Sequence, residues 1–380
     1  MLEGLAVGRL TVVLPDGREV AFDSSAPGPD AVLRLHDLGV TRRFILGGHL
    51  AFAEAYMDGA VDSPDLVAVV ELFERNKYAF NQGNPDGLLR VQVRRFLHWL
   101  NGNTRRGSRR NAAYHYDLGN AFYAQWLDPS MTYSSAVFDG KERDLETAQA
   151  AKYRRMAEKL RLRPGQRLLD IGCGWGGFAI YAAKEAKVDV VGITLSQEQH
   201  GYAVERAHRA GVADRVHFEI RDYRDVTGQF DAIAAIEMFE AVGQPYWTAF
   251  FKQLHDRLVA GGYAALQVIT IREDGFDDYR SNPDFIQRYI FPGGMLPTRR
   301  HLHALGQAHG LNVDAEEALG ADYARTLAYW RARFLANWPV IEAQGFDVRF
   351  RRMWDYYLAY REGGFRGGHI DVRQIAYVRS

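Results

Sequence analysis

The chain has 380 residues, too many for one ordinary core and enough for a catalytic domain of roughly 200 to 280 residues with a smaller unit attached. Lysine plus arginine equals aspartate plus glutamate at 47 each, so no global field draws the protein to nucleic acid or an acidic membrane, and any such attraction is local. With 47% apolar and 13% aromatic residues general disorder is excluded, while a single cysteine, Cys173, excludes a disulfide framework or thiolate metal cluster and suits a reducing cytoplasm.

The first residues carry no basic stretch followed by an apolar one, and no run of about eighteen apolar residues occurs, so neither a secretory leader nor a membrane span is expected. GRLTVVLPDGREVAFDS reads as two short strands around a Pro-Asp-Gly turn. From Ala31 to Asn76 apolar residues recur at helical spacing, broken at Gly47-Gly48 and Asp58-Gly59, which predicts three or more helices, with Asp62-Ser63-Pro64-Asp65 capping the last.

Between Asp86 and Asp117 there is no acidic residue, while Arg90, Arg94, Arg95, Arg105, Arg106, Arg109 and Arg110 gather around Phe96, Leu97, Trp99 and Leu100. The run reads either as a solvated linker or as a docking patch for anionic lipid headgroups, and it holds the domain boundary: an N-terminal α+β unit over 1–105 and a catalytic domain over 106–380.

After residue 140 helix and strand alternate: a helix to about Leu160, strand RLLDIG, helix GFAIYAAKEA, strand VDVVGITL, helix QEQHGYAVERAHRAG, strands VHFEIRD and FDAIAAIE, helix YWTAFFKQLHDRLV and strand YAALQVITI. Such alternation predicts right-handed crossovers and a parallel sheet covered on both faces, an α/β class of Rossmann-like form.

The first of these strands runs through Asp170 into Ile171-Gly172-Cys173-Gly174-Trp175-Gly176-Gly177 and a helix. Glycines are needed where backbone turns sharply and lies against a ligand, so the loop is a cradle at the carboxyl edge of the sheet. Gly172, Gly174 and Gly177 also satisfy the dinucleotide spacing, but the next strand ends Gly192-Ile193-Thr194-Leu195-Ser196 without the carboxylate a dinucleotide ribose wants. Thr194, Ser196 and Gln199 offer neutral hydrogen bonds instead, and Asp222 with Tyr223 after the third strand can hold an adenine amino group and cover its ring. Together with Asp170 this order points to S-adenosylmethionine. Cys173 is read as a small buried residue of the loop, without chemistry.

The segments HYDLGNAFYAQWLDPSMTYSSAVF, LLDIGCGWGGFAIYAA, VGITLSQEQ, DYRD, IEMFEAVG, FIQRYIFPGGMLP and DYARTLAYW resemble the cyclopropane fatty acid synthase family, mycolic acid methyltransferases included, from about Asn111 to Phe365. The resemblance implies a seven-stranded S-adenosylmethionine methyltransferase sheet and a reaction on cis double bonds of phospholipid acyl chains. That reaction passes through a carbocation to a cyclopropane, methylene or methyl branch. It implies that Tyr133 and Ser134 help bind the cofactor with Gly172, Gly174, Thr194, Gln199 and Ile236. Aromatic faces can steady such a cation, and of the candidates Tyr116, Phe138, Phe239, Tyr289 and Tyr323 only Tyr323 is singled out, by its family match.

The resemblance also implies a bicarbonate ion as the base, held at positions matching Ser135, Glu240, Gln267, Ile269 and Tyr323. Gln267 stands where the family has a His, and Ala241 replaces another. Bicarbonate is therefore expected to bind weakly, or Glu240 to take the proton itself. Expected partners are membrane phospholipid and, from the cytoplasm, the inner membrane face. Nucleic acid is not expected, and oligomeric state, a homodimer included, is left open. Two other readings stand beside this one: a methyltransferase of a small soluble substrate, and an inactive lipid-binding relative.

Overall fold

A computed structural model describes residues 5–77, 104, 107–108, 118–140 and 144–380. The boundary at residue 105, the seven arginines of the basic run and Tyr116 lie outside them.

The N-terminal unit is a four-stranded sheet, ordered β2-β1-β3-β4, of β1 (Arg9–Val13), β2 (Glu19–Asp23), β3 (Asp30–Leu35) and β4 (Val61–Asp62). The expected hairpin is present as β1 and β2. The helical reading of Ala31 onward is corrected, because Asp30–Leu35 pairs parallel to β1 and buries Ala31, Leu33 and Leu35, a period of two that the longer helical window concealed. Three helical segments follow, broken where the spacing predicts: α1 (Gly39–Met57) is two helices joined across the non-helical Gly48, where φ is +58°, and α2 (Leu66–Arg75) has its first turn capped by the Asp65 carboxylate accepting from the Ala68 N–H at 3.0 Å.

The second sheet has seven strands in the order β10-β11-β9-β8-β5-β6-β7: β5 (Arg167–Ile171), β6 (Asp189–Thr194), β7 (Val216–Ile220), β8 (Phe230–Ile236), β9 (Leu258–Ile271), β10 (Leu311–Ala318) and β11 (Ile370–Arg379). Strands β5 to β9 are parallel, as the alternation predicts, and Leu168, Leu169, Ala232, Ile233, Ala264 and Leu266 are buried along them. The all-parallel reading fails at one edge, where β11 runs antiparallel to both β9 and β10.

Helices α3 (Leu145–Lys159), α4 (Gly177–Tyr181), α5 (Gln197–Arg209), α6 (Trp247–Arg257), α7 (Gly320–Ala336) and α8 (Val348–Arg366) complete the described framework around the site. Helix α8 lies between the two units. A Cβ placed on Gly363 would come within 2.6 Å of Val70 Cγ1 and 3.0 Å of the Glu71 nitrogen, so α2 approaches closely only because that residue has none. Tyr56 Oη donates to Asp355 at 2.6 Å and Arg352 Nη2 reaches Asp62 at 2.7 Å, which pins the N-terminal unit to the same helix. Tyr357 and Arg361, also on α8, line the deep pocket of the catalytic domain.

Candidate active site

The pocket opens at the carboxyl ends of β5, β6 and β8. Its first half is the glycine loop. Gly174 has φ +55° and no atom within 4 Å of where a Cβ would stand, so any side chain there would project into the pocket. Gly172 has φ +77°, and a Cβ would press on Met238 at 2.7 Å. Below the loop, the Asp170 carboxyl is buried with Oδ2 unpartnered. Burial pushes its pKa up to about 7 against the pull of Lys152, whose own ammonium burial lowers to about 7. Lys152 Nζ donates to Ser134 Oγ at 2.6 Å. Burial and the neighbouring Asp170 hold the Cys173 thiol far above its usual range, in keeping with a packing role.

Thr194, Leu195, Ser196, Gln199, Asp222, Tyr223, Ile236, Tyr133 and Ser134 all face this pocket, as the sequence reading expects. Their polar groups are partly engaged with one another. Ser196 caps α5 by accepting from the Gln199 N–H at 3.2 Å, and the Thr194 hydroxyl donates to Gln199 Oε1 at 2.8 Å. Asp222 is held by Arg224 through Nε at 2.8 Å and Nη2 at 2.6 Å, which fixes the carboxylate in place. Tyr133 Oη meets Tyr357 Oη at 2.6 Å.

The second half centres on a residue to which the sequence reading gave no role. Glu237 follows the end of β8 with φ +50°, a left-handed conformation that costs a non-glycine residue about 1 to 2 kcal/mol. Its Oε1 accepts from the Ser135 N–H at 2.7 Å and from Gln267 Nε2 at 2.7 Å, and its Oε2 accepts from Tyr323 Oη at 2.6 Å. Gln267 is oriented in turn by Gln374 Nε2, which donates to Gln267 Oε1 at 2.9 Å across the β9–β11 pair. The backbone is fixed as well, since the Glu237 N–H donates to the Gln267 carbonyl at 2.7 Å.

Glu240 sits beside it. Its Oε1 accepts from the Ile269 N–H at 2.5 Å and its Oε2 is buried without a partner. Burial, and then the charge of Glu237, push its pKa up to about 8, so it is the neutral member of the pair near pH 7. Burial raises Glu237 too, but the donors Tyr323, Gln267 and Ser135 and the Lys152 charge favour its ionised form.

The expected bicarbonate site is therefore corrected. Ser135, Gln267 and Tyr323 all end on Glu237, and among the described residues only Ile269 serves Glu240, so the donors expected for a free anion are already spent on a protein carboxylate. Ser135 and Gln267 do not line the pocket but stand behind Glu237, whereas Glu240, Ile269 and Tyr323 do line it. A bicarbonate ion does not fit this arrangement.

The aromatic candidates divide likewise. Tyr323 lines the pocket, but Phe138 stacks on Tyr329, Phe239 packs among Trp247, Phe250 and Phe251, and Tyr289 donates to Glu54 at 2.7 Å. Tyr279 and Tyr357 face the pocket instead, with Arg361 close to the Tyr323 ring at 6.0 Å. Of the residues missed, Glu237 alone left a sequence signal, a carboxylate closing the apolar run FDAIAAI, while Lys152, Arg361 and Gln374 reach the site from distant elements.

The family model for mycolic acid cyclopropane synthetase matches residues 103–375. Tuberculostearic acid methyltransferase UfaA1 of Mycobacterium tuberculosis is 36% identical over 97% of this chain and 88% of its own length. Cyclopropane-fatty-acyl-phospholipid synthase of Escherichia coli K12 is also 36% identical, over 95% of this chain and 90% of its own length. Among solved structures, mycolic acid cyclopropane synthase CmaA1 complexed with SAH and CTAB is similar with a TM-score of 0.67 and 33% identity, over 71% of this chain and 98% of that one.

Proposed function

The chain belongs to the mycolic acid cyclopropane synthetase family of S-adenosylmethionine-dependent methyltransferases, and from that premise we propose that its methyl acceptor is a cis double bond in a phospholipid acyl chain. The observation that carries this reading is one continuous pocket in which the glycine loop meets Glu237, Glu240, Tyr323 and a wall of apolar and aromatic side chains such as Ile269, Ile286, Phe291 and Leu296. A glycine cradle open at Gly174 and an orphaned buried carboxylate oxygen on Asp170 fit a ligand carrying an amino acid end with a cationic donor.

Asp170, Gly172, Gly174, Ser134, Thr194 and Gln199 would hold the cofactor, with Asp222 and Tyr223 toward its adenine. When bound, S-adenosylmethionine supplies an electrophilic methyl on sulfur. The apolar wall excludes water and orients the acyl chain, so its π electrons can take the methyl and leave positive charge on the adjoining carbon. The Tyr323 ring offers that charge a face worth about 2 kcal/mol when dry, without quenching it. Relatives with equal identity are named for different products, so overall identity does not choose between ring and branch.

The N-terminal unit and the basic run 90–110 bring the enzyme from the cytoplasm to an anionic bilayer in this reading, supported by arginines interleaved with Phe96 and Trp99. The test is mass spectrometry of lipid extracts from cells with and without the protein. A gain of one CH2 on unsaturated chains is expected, and its absence would sink the proposal.

A further inference from the structure

The pocket holds two carboxylates, and only one of them is built to stay charged. Glu237 accepts three hydrogen bonds, two on Oε1 and one on Oε2. A carboxylate has about four lone-pair sites, so the remaining one is on Oε2, and the carboxylate faces the pocket. The side chain cannot turn without breaking these bonds, and its backbone is held in a left-handed conformation that an ordinary strand end would not adopt. Strain retained at a buried charged side chain, with a second row of support from Gln374, marks a position where placement matters more than stability.

Resting on the acyl-chain reading above, we propose that Glu237 is the general base of the reaction, with Oε2 as the accepting atom, and that the enzyme works without an exogenous anion. After methyl transfer the acyl carbocation loses a proton. The electron pair of that C–H bond becomes the new C–C bond of a ring or the π bond of a branch, and the proton passes to Oε2, leaving Glu237 neutral until water removes it. No oxidant or reductant is needed. Glu240, neutral beside it, adds no competing charge, and Arg361 supplies positive charge on the side of Tyr323 and Tyr357. Because the base is covalently fixed, it reaches protons from one side only, and its position rather than a diffusible ion decides which is lost.

Two variants separate this from a structural role. Glu237→Gly removes the carboxylate, and glycine accepts φ +50° without strain, so the variant folds. It also frees the Ser135 N–H, the Gln267 amide and the Tyr323 hydroxyl for a small anion. Glu237→Gln keeps the volume but cannot take a proton.

The assay is methyl transfer to vesicles of cis-unsaturated phospholipid in carbonate-free buffer, with cofactor affinity measured separately by calorimetry. Wild type is expected to be active and indifferent to bicarbonate. Both variants are expected to lose turnover by about 100-fold or more while binding S-adenosylmethionine within a few-fold of wild type. Bicarbonate or formate is expected to restore Glu237→Gly but not Glu237→Gln. Wild-type turnover that demands bicarbonate, a fully active Glu237→Gly, or a Glu237→Gly that no small carboxylate rescues would each overturn the assignment. Wild type that binds cofactor but methylates no lipid would instead defeat the acyl-chain reading, and the base with it.

Discussion

Gln374 donates its amide to Gln267 Oε1 across the β9–β11 pair at 2.9 Å, and together with the Ser135 carbonyl, which accepts from Gln267 Nε2 at 3.2 Å, that bond sets which end of the Gln267 amide faces Glu237. With its oxygen so occupied, Gln267 has its N–H2 free to donate to the carboxylate. Gln374→Leu is expected to let the amide turn and weaken one donor, costing about 1 kcal/mol in the transition state, or roughly fivefold in turnover, with cofactor affinity unchanged. Steady-state kinetics beside calorimetric titration checks it, and an unchanged kcat would show that the bond orients nothing of consequence.

The pH profile should carry the mark of a buried base. Burial raises Glu237 above the ordinary 4.5 of a glutamate, so its charged form is lost on acidification at a higher pH than for an exposed one. Turnover is expected to fall on the acid side with a midpoint above 4.5, and to lose that limb in Glu237→Gln, whose residual rate should be flat.

Glu240 has the opposite signature. It keeps its proton in the folded state up to about pH 8 but gives it up near 4.5 when unfolded, so stability falls as pH rises between those values. Glu240→Gln mimics the neutral form. It is expected to retain most turnover at pH 7 and to raise Tm relative to wild type more at pH 8 than at pH 5, readable by calorimetry. Loss of turnover on the scale of the Glu237 variants would mean that Glu240 holds the charge instead.

Gly174→Val places a branched side chain both in the cofactor space and at φ +55°. Cofactor binding is expected to fall beyond detection by calorimetry, with a stability cost of about 2 kcal/mol from the backbone. Binding within a few-fold of wild type would move the cofactor elsewhere.

Gly363→Val drives a methyl into Val70 and the α2 backbone. Overpacking of this kind costs about 1 to 3 kcal/mol, and urea denaturation is expected to show a correspondingly lower midpoint. Since Tyr357 and Arg361 share the helix, turnover should drop as well.

Changing Arg105, Arg106, Arg109 and Arg110 to Ser is expected to reduce flotation with anionic vesicles and to remove the salt dependence of binding. Unchanged flotation would leave the basic run as a linker.

Much of the catalytic sheet was legible because alternation of apolar strand and amphipathic helix is local, and the glycine loop was legible because steric demands at Gly172 and Gly174 are written into residue type. Strand β3 was not, since six alternating residues vanish inside a longer helical pattern. Pairing of β11 was not, because antiparallel insertion between β9 and β10 depends on contacts more than 50 residues apart in sequence. Glu237 and Glu240 are three positions apart, and family likeness drew attention to the second. Only the turn at φ +50° swings the first under the donors, and no periodicity announces a left-handed residue that is not glycine.

The insertion of β11 also sets an order on biosynthesis. Gln374 closes the ladder behind Glu237 and lies more than 100 residues after the strand it supports, so a nascent chain can complete β5 to β9 and the glycine loop well before the base is fixed. A ribosome-bound chain stopped short of residue 374 would carry the cofactor cradle with Glu237 already reached by Ser135 and Tyr323, but with Gln267 lacking its cross-strand partner. The last orienting contact behind Glu237 is therefore made only as translation of the domain ends, after the rest of the pocket has been laid down.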